Sequence, residues 1–304
     1  MPLPEPALPG PIHVEPELAT RMLCSDADLA ARDDPRGSAA EFTRFLLIER
    51  LSGFGREAGD DALRAVYGQA SSEITAVPGL RPFAIRPVGR TDGPDSQVRW
   101  IGRVGVDAVL QPTATRPTSQ DLFALDTARA SAISPLFAVC TNGSRDRCCA
   151  VKGRDLAARL HHALDDPDEA PSVVEISHLG GHRFAPTMLV LPWAYAYARL
   201  DAEAALDVAY AAQDGLVHPT GLRGRADLGP AAQAAEVFWR TALGPAPVDS
   251  VTIESVDTDA AVHTVTARVQ GRSETLALRR TAGPTIGATT CGGKPIPTGR
   301  WAAA

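Results

Sequence analysis

Two short apolar runs, each ending in a pair of soft or borderline metal ligands, constrain this chain more than anything else in it. The first, Phe137-Ala138-Val139, ends in Cys140, and a polar, turn-rich loop over residues 141–147 leads to the adjacent pair Cys148-Cys149. The second, Val173-Val174-Glu175-Ile176, is followed by His178-Leu179-Gly180-Gly181-His182. Three of the five Cys and two of the seven His therefore fall in two loops, each at the C-terminal end of a strand-like run. That clustering is the main functional signal in the sequence.

At 304 residues the chain has room for one large domain or two ordinary ones. Apolar residues make up 44% and charged residues 22%, the balance of a globular protein with a buried core. A net charge of −6 argues against nucleic acid as a partner, because bulk binding needs a basic surface. No apolar run approaches the roughly 20 residues of a membrane span, so no membrane association is expected. The start, Met1-Pro2-Leu3-Pro4-Glu5-Pro6, lacks a basic segment and an apolar core and does not read as a signal peptide. An odd number of cysteines, three of them packed together, argues against a disulfide framework. The expectation is a cytoplasmic protein with reduced or metal-bound thiols.

Residues 1–20 are Pro-rich and read as an extended arm. Ser25 is a candidate N-cap for a short helix through Leu29 and Ala31. Residues 42–48 read as a buried strand, 60–67 as a helix, 82–85 and 98–104 as strands, and 121–130 as a helix. The order then repeats. A strand at 136–139 precedes a helix over 153–164 with Leu156, Leu160 and Leu164 stacked. A strand at 173–176, a hairpin of 188–191 with 195–200 around Pro192, and a helix over 202–213 capped by Asp201 follow. Strand, helix, strand, hairpin, helix is a thioredoxin-like order. The expected class is α/β: a thioredoxin-like cluster domain over 131–230, preceded by an α/β half over 1–130. That first half reads as a degenerate copy, with Glu49 and a Ser-Gly-Phe-Gly turn where the cysteine loop would stand. Residues 231–304 add a C-terminal helix, antiparallel strands at 251–256, 262–269 and 275–278, and an irregular Gly/Pro-rich tail from Thr290 to Trp301.

Two thiolates and two imidazoles suit zinc or an iron–sulfur cluster, and not calcium or magnesium. Histidines four apart share one face of a helix, as in some zinc sites, but Gly180-Gly181 between them disfavours helix. In a loop both imidazoles can converge, and the glycines allow close backbone approach. No Glu follows His178, so the metalloprotease pattern fails. The eight residues between Cys140 and Cys149 exceed the two to four of a zinc-finger knuckle. Spacing alone leaves zinc, a cluster and incidental residues all open.

The string VCTNGSRDRCCAVKGRDLA, with SHLGGHRFAPTMLVLP after it, resembles the sucrase/ferredoxin-like family of thioredoxin-like [2Fe-2S] proteins. Likeness is strongest over residues 134–200. The resemblance implies a [2Fe-2S] cluster held by Cys140 and Cys149 from a Cys-x8-Cys loop and by His178 and His182 from an His-x-Gly-Gly-His motif. Asn142, where many relatives have His, is not a ligand position in that pattern. The resemblance further implies a one-electron carrier with a redox partner protein, rather than an enzyme with its own substrate. The sequence holds no carboxylate pair of the kind a glycosidase needs.

Two other functions use the same residues: a structural zinc protein closed by the same four ligands, and a thiol–disulfide oxidoreductase built on Cys148-Cys149. The second lacks Cys-x-x-Cys, and adjacent cysteines form strained disulfides. Cys148 is not expected to be a ligand beside Cys149, because successive side chains point apart. Cys24 and Cys291 read as small buried apolar residues, His161 and His162 as solvated, and Trp301 as closing the core. Arg145, Arg147 and Arg183 read either as steering an acidic partner or as bonding loop backbone and Asp146.

Overall fold

The computed structural model describes residues 23–89, 97–125, 134–165, 172–288 and 290–304. The N-terminal arm expected over residues 1–20 lies outside them. The first half supplies β1 (Arg44–Glu49), β2 (Leu80–Pro87), β3 (Gln97–Arg103) and β4 (Val109–Pro112). The second supplies β5 (Leu136–Cys140), β6 (Val173–Ile176), β7 (Thr187–Leu191) and β8 (Tyr195–Ala198). After them come β9 (Leu216–Val217), β10 (Leu222–Arg225) and β11 (Ala246–Pro247), then β12 (Val251–Asp259), β13 (Val262–Val269), β14 (Arg272–Ala288) and β15 (Pro295–Ala303).

Nine of these strands make one mixed sheet in the order β10-β8-β7-β5-β6-β2-β1-β3-β4. Within each half the first strand runs parallel to the second and antiparallel to the third, which pairs antiparallel with the fourth. The first half thus repeats the strand order and pairing sense of the second. The two halves join edge to edge through the antiparallel pair β2 and β6. A buried ion pair crosses this seam: Arg86 of β2 donates twice to Glu175 of β6, at 2.6 and 2.9 Å.

Side-chain alternation along the strands sorts the core into layers. Leu46 and Ile48 of β1 pack with Ala62 and Leu63 of the helix Ala58–Tyr67. Phe137 and Val139 of β5 pack with Leu156 and Leu160 of the helix Arg154–Leu164 and Val208 of the helix Ala202–Gln213. The alternate residues, Phe45, Leu47, Phe83, Ile85, Ala138 and Cys140, share the other face with residues of both halves. Cys140 is thereby placed on the common face. Among the described residues no helix is long and apolar enough to cross a membrane.

The C-terminal sheet, ordered β12-β13-β14-β15, packs Val265, Leu278 and Trp301 against Ala231, Ala234 and Ala235 of the helix Pro230–Leu243. Trp301 closes this core, with its ring 5.5 Å from His263. The tail is therefore not irregular to its end, since Pro295–Ala303 is a strand. β15 is the edge of its sheet, a place where proline is tolerated. The helix Cys24–Ala31 also differs from expectation. Its N-cap is Leu23 with no side-chain cap, and Ser25 is buried inside it. The helix expected over 121–130 runs Ser119–Ala124, started by a Thr118–Asp121 capping box; residues 126–130 lie outside the described ones.

Candidate metal centre

Because β5 and β6 are parallel neighbours in the register Cys140↔Ile176, the loops at their C-terminal ends emerge side by side. Asn142 turns the first loop. Its buried carboxamide accepts the Arg145 N–H at 3.1 Å and donates to the Gly55 carbonyl of the Ser-Gly-Phe-Gly turn at 3.0 Å. The chain then returns through a π-turn, Cys149–Gly153, into the helix Arg154–Leu164. A Cβ on Gly153 would lie 2.1 Å from the Cys140 carbonyl oxygen, so only glycine lets this turn close on the strand end. The closure brings Cys149 beside Cys140, both buried.

The second loop reverses through Gly180 and Gly181, at φ +85° and +70°. It carries His178 and His182 to a ring-centroid separation of 5.2 Å. Two arginines grip its backbone: Arg81 donates to the His178 carbonyl at 3.4 Å and the fully buried Arg223 to the Gly180 carbonyl at 3.1 Å. Neither arginine was picked out from the sequence; Arg223 sits in the short, charged edge strand β10, which carries no apolar run.

The electrostatics favour thiolate on one sulfur of the pair. Contact with the Cys149 thiol, then with His178 and the N–H groups of Asn142 and Leu179, holds Cys140 well below the ordinary thiol range despite burial. The same sharing raises Cys149. Burial lowers the His182 imidazole, against the pull of Asp146, whose Oδ2 lies 3.8 Å from Nε2. Nδ1 of His178 and both ring nitrogens of His182 are buried with no hydrogen-bond partner. Buried polar atoms are rarely left so. A buried thiol pair with two nearby imidazoles that carry orphaned ring nitrogens is a donor set that fits a thiophilic metal or an iron–sulfur cluster.

Cys148 faces away from this pair. It joins Cys24 and Cys291, and with Asp146 the three form a group of metal-ligand type whose donor atoms all lie within 4.8 Å of one another. Contact with Cys24, and then with the side chain and N–H of Ser25, pulls the Cys148 thiol down to about 6 despite burial, and the contact with Cys148 raises Cys24. Burial raises Cys291 to about 11. The reading of Cys24 and Cys291 as merely small apolar residues misses this group, because nothing local in the sequence links positions so far apart. Asp146 accepts the N–H groups of Cys148 and Cys291 at 2.9 Å each. The arginines expected to bond it do otherwise: Arg145 pairs with Glu57 and Arg183 with Asp33 and Asp28, while Arg147 is exposed. His161 and His162 are exposed, His161 against Asp165 at 2.6 Å.

The model of one protein family, described as sucrase/ferredoxin-like, matches residues 35–224. That span takes in both halves of the nine-stranded sheet with Cys140, Cys149, His178 and His182, and leaves out Cys24 and Cys291. No curated protein and no solved structure matches the chain.

Proposed function

Because this chain belongs to the sucrase/ferredoxin-like family, we propose that it is an electron-transfer protein whose [2Fe-2S] cluster is held by Cys140, Cys149, His178 and His182. The observation that carries this reading is the convergence of the two loops on one buried place, where three imidazole nitrogens lack partners. Bound there, the cluster supplies a site for one electron at a potential above that of all-cysteine ferredoxins, since neutral imidazoles replace two thiolates.

The chain's own residues do the rest. Cys140, pulled toward thiolate by its neighbours, is poised to bind metal without first losing a proton to bulk base. Arg81 and Arg223 fix the histidine loop through its carbonyls and place positive charge near the sulfurs. Leu179 and Phe184, both buried, keep water from the histidine loop. A cleft of about 130 Å³ lined by Arg56, Glu57, Asp60, Arg81 and His178 reaches the site from outside. His178 is therefore the ligand through which a redox partner protein exchanges the electron. Each half of the sheet has the strand order of a thioredoxin-like fold, which supports reading the second half as the cluster domain. The cysteine usage supports a reducing compartment, the cytoplasm.

Single replacements test the ligand set. Cys140→Ser and Cys149→Ser abolish the visible absorption of the anaerobically purified protein, and Cys148→Ser leaves it nearly unchanged. Bleaching by Cys148→Ser with retention in Cys149→Ser would place the ligand on the wrong neighbour.

A further inference from the structure

Cys24, Asp146, Cys148 and Cys291 are not among the proposed cluster ligands, yet three separate stretches of chain bring them together. Cys24 opens the helix Cys24–Ala31, Asp146 and Cys148 lie in the cluster loop, and Cys291 lies between β14 and β15. Sγ of Cys148 is 3.4 Å from Sγ of Cys24 and 3.2 Å from Sγ of Cys291. Oδ1 of Asp146 is 3.7 Å from Sγ of Cys24 and 3.2 Å from Sγ of Cys291. We propose that these four residues hold a single zinc ion that ties both ends of the chain to the loop carrying Cys149.

The spacing singles out one ion. A tetrahedral zinc with bonds to sulfur of about 2.3 Å has sulfur–sulfur edges of about 3.8 Å and slightly shorter edges to a carboxylate oxygen. The two sulfur–sulfur separations given above lie a little inside that edge, the sulfur–oxygen separations of 3.2 and 3.7 Å fall on either side of theirs, and all four donor atoms lie within 4.8 Å of one another. A disulfide explains them less well. It joins two sulfurs at about 2.05 Å and leaves the third thiol and the carboxylate unaccounted for. Three thiols with one carboxylate is a donor set for zinc, which asks for four ligands and brings no redox chemistry of its own.

Backbone N–H groups already stand where such a site needs them. Ser25 N–H points at Cys148 Sγ at 3.5 Å, and Cys24 N–H at Cys291 Sγ at 3.4 Å. Those of Cys148 and Cys291 hold the two oxygens of Asp146 at 2.9 Å. Outer donors of this kind orient ligands and offset the excess negative charge of three thiolates and a carboxylate around a divalent ion. Cys24 and Cys291 lie outside the residues that match the family model. Asp146 and Cys148 stand three residues and one residue before Cys149, so fixing them braces the cluster loop.

The test uses the full-length protein, purified without chelator and dialysed against micromolar zinc. Metal analysis of the wild type is expected to give about one zinc per chain in addition to any iron. Cys24→Ser and Cys291→Ser are each expected to weaken zinc binding at least about tenfold while iron and visible colour are retained. Zinc-edge X-ray absorption on the wild type, which depends on no variant, is expected to show three sulfurs and one oxygen. The proposal is overturned by a wild type that keeps no zinc, or by a disulfide among the three thiols seen in the intact mass. It is also overturned by an edge spectrum with imidazole nitrogens, or by zinc that leaves with Cys140→Ser and stays with Cys291→Ser. Iron and zinc are counted separately, so failure here and failure of the cluster assignment give different results.

Discussion

Gly153 shows how much of the site depends on a single missing methyl group. With the Cβ position 2.1 Å from the Cys140 carbonyl oxygen, Gly153→Ala forces backbone apart at the point where the cysteine loop closes. The expected outcome is a loss of about 1–3 kcal/mol in denaturant unfolding, together with reduced iron content, because Cys149 moves with the turn. Unchanged stability and iron would show that the turn is slack. This constraint is not legible in the sequence, where a glycine between Lys152 and Arg154 reads only as a helix start. The glycines of the histidine loop are legible. Two in succession between histidines disfavour helix, and the positive φ angles of Gly180 and Gly181 agree with that. Cys148 and Cys149 lie between these cases. That neighbouring side chains diverge is predictable, but where Cys148 goes depends on two cysteines at the far ends of the chain.

At the scale of elements, the seam between β2 and β6 is bridged by a buried ion pair. Arg86 and Glu175 are both buried, and Thr141 adds a hydrogen bond to Glu175 at 2.6 Å, linking the seam to the cysteine loop. Removing one partner leaves the other charge uncompensated, so Glu175→Ala is expected to cost roughly 3–5 kcal/mol in guanidinium unfolding. Glu175→Gln, which keeps acceptors for Arg86 and Thr141, is expected to cost less. Equal losses for the two variants would mean that packing rather than charge holds the seam. The elements themselves were legible where they are central. β1, β2 and β5 to β8 are apolar runs because both faces are covered. The strands that the sequence pattern does not reveal, β4, β9, β10, β11 and β15, all lie at sheet edges. Edge strands need fewer apolar residues and accept proline or charge, so the pattern that betrays a strand is weakest there.

At the scale of the whole molecule, a two-part sheet buries Cys140 and Cys149 on its common face, and a C-terminal sheet closes the chain. A histidine bound to iron through one ring nitrogen keeps a proton on the other. Oxidation adds positive charge beside that N–H, so its pKa is lower in the oxidised protein than in the reduced one. Between the two values, reduction takes up a proton. If the proposed cluster is bound, its potential is therefore expected to fall as pH rises, by up to about 59 mV per unit for one proton per electron. Protein-film voltammetry from mildly acidic to alkaline pH is expected to show this slope. A flat profile would remove the coupling and leave simple electron transfer.

The central claim rests on what Cys140, Cys149, His178 and His182 hold, and direct analysis of iron and acid-labile sulfide in anaerobically purified protein tests it most closely. The account predicts about two irons and two sulfides per chain, with an EPR signal that appears on one-electron reduction and is lost in Cys140→Ser. Zinc at the Cys140 site with no labile sulfide in carefully handled protein would contradict it.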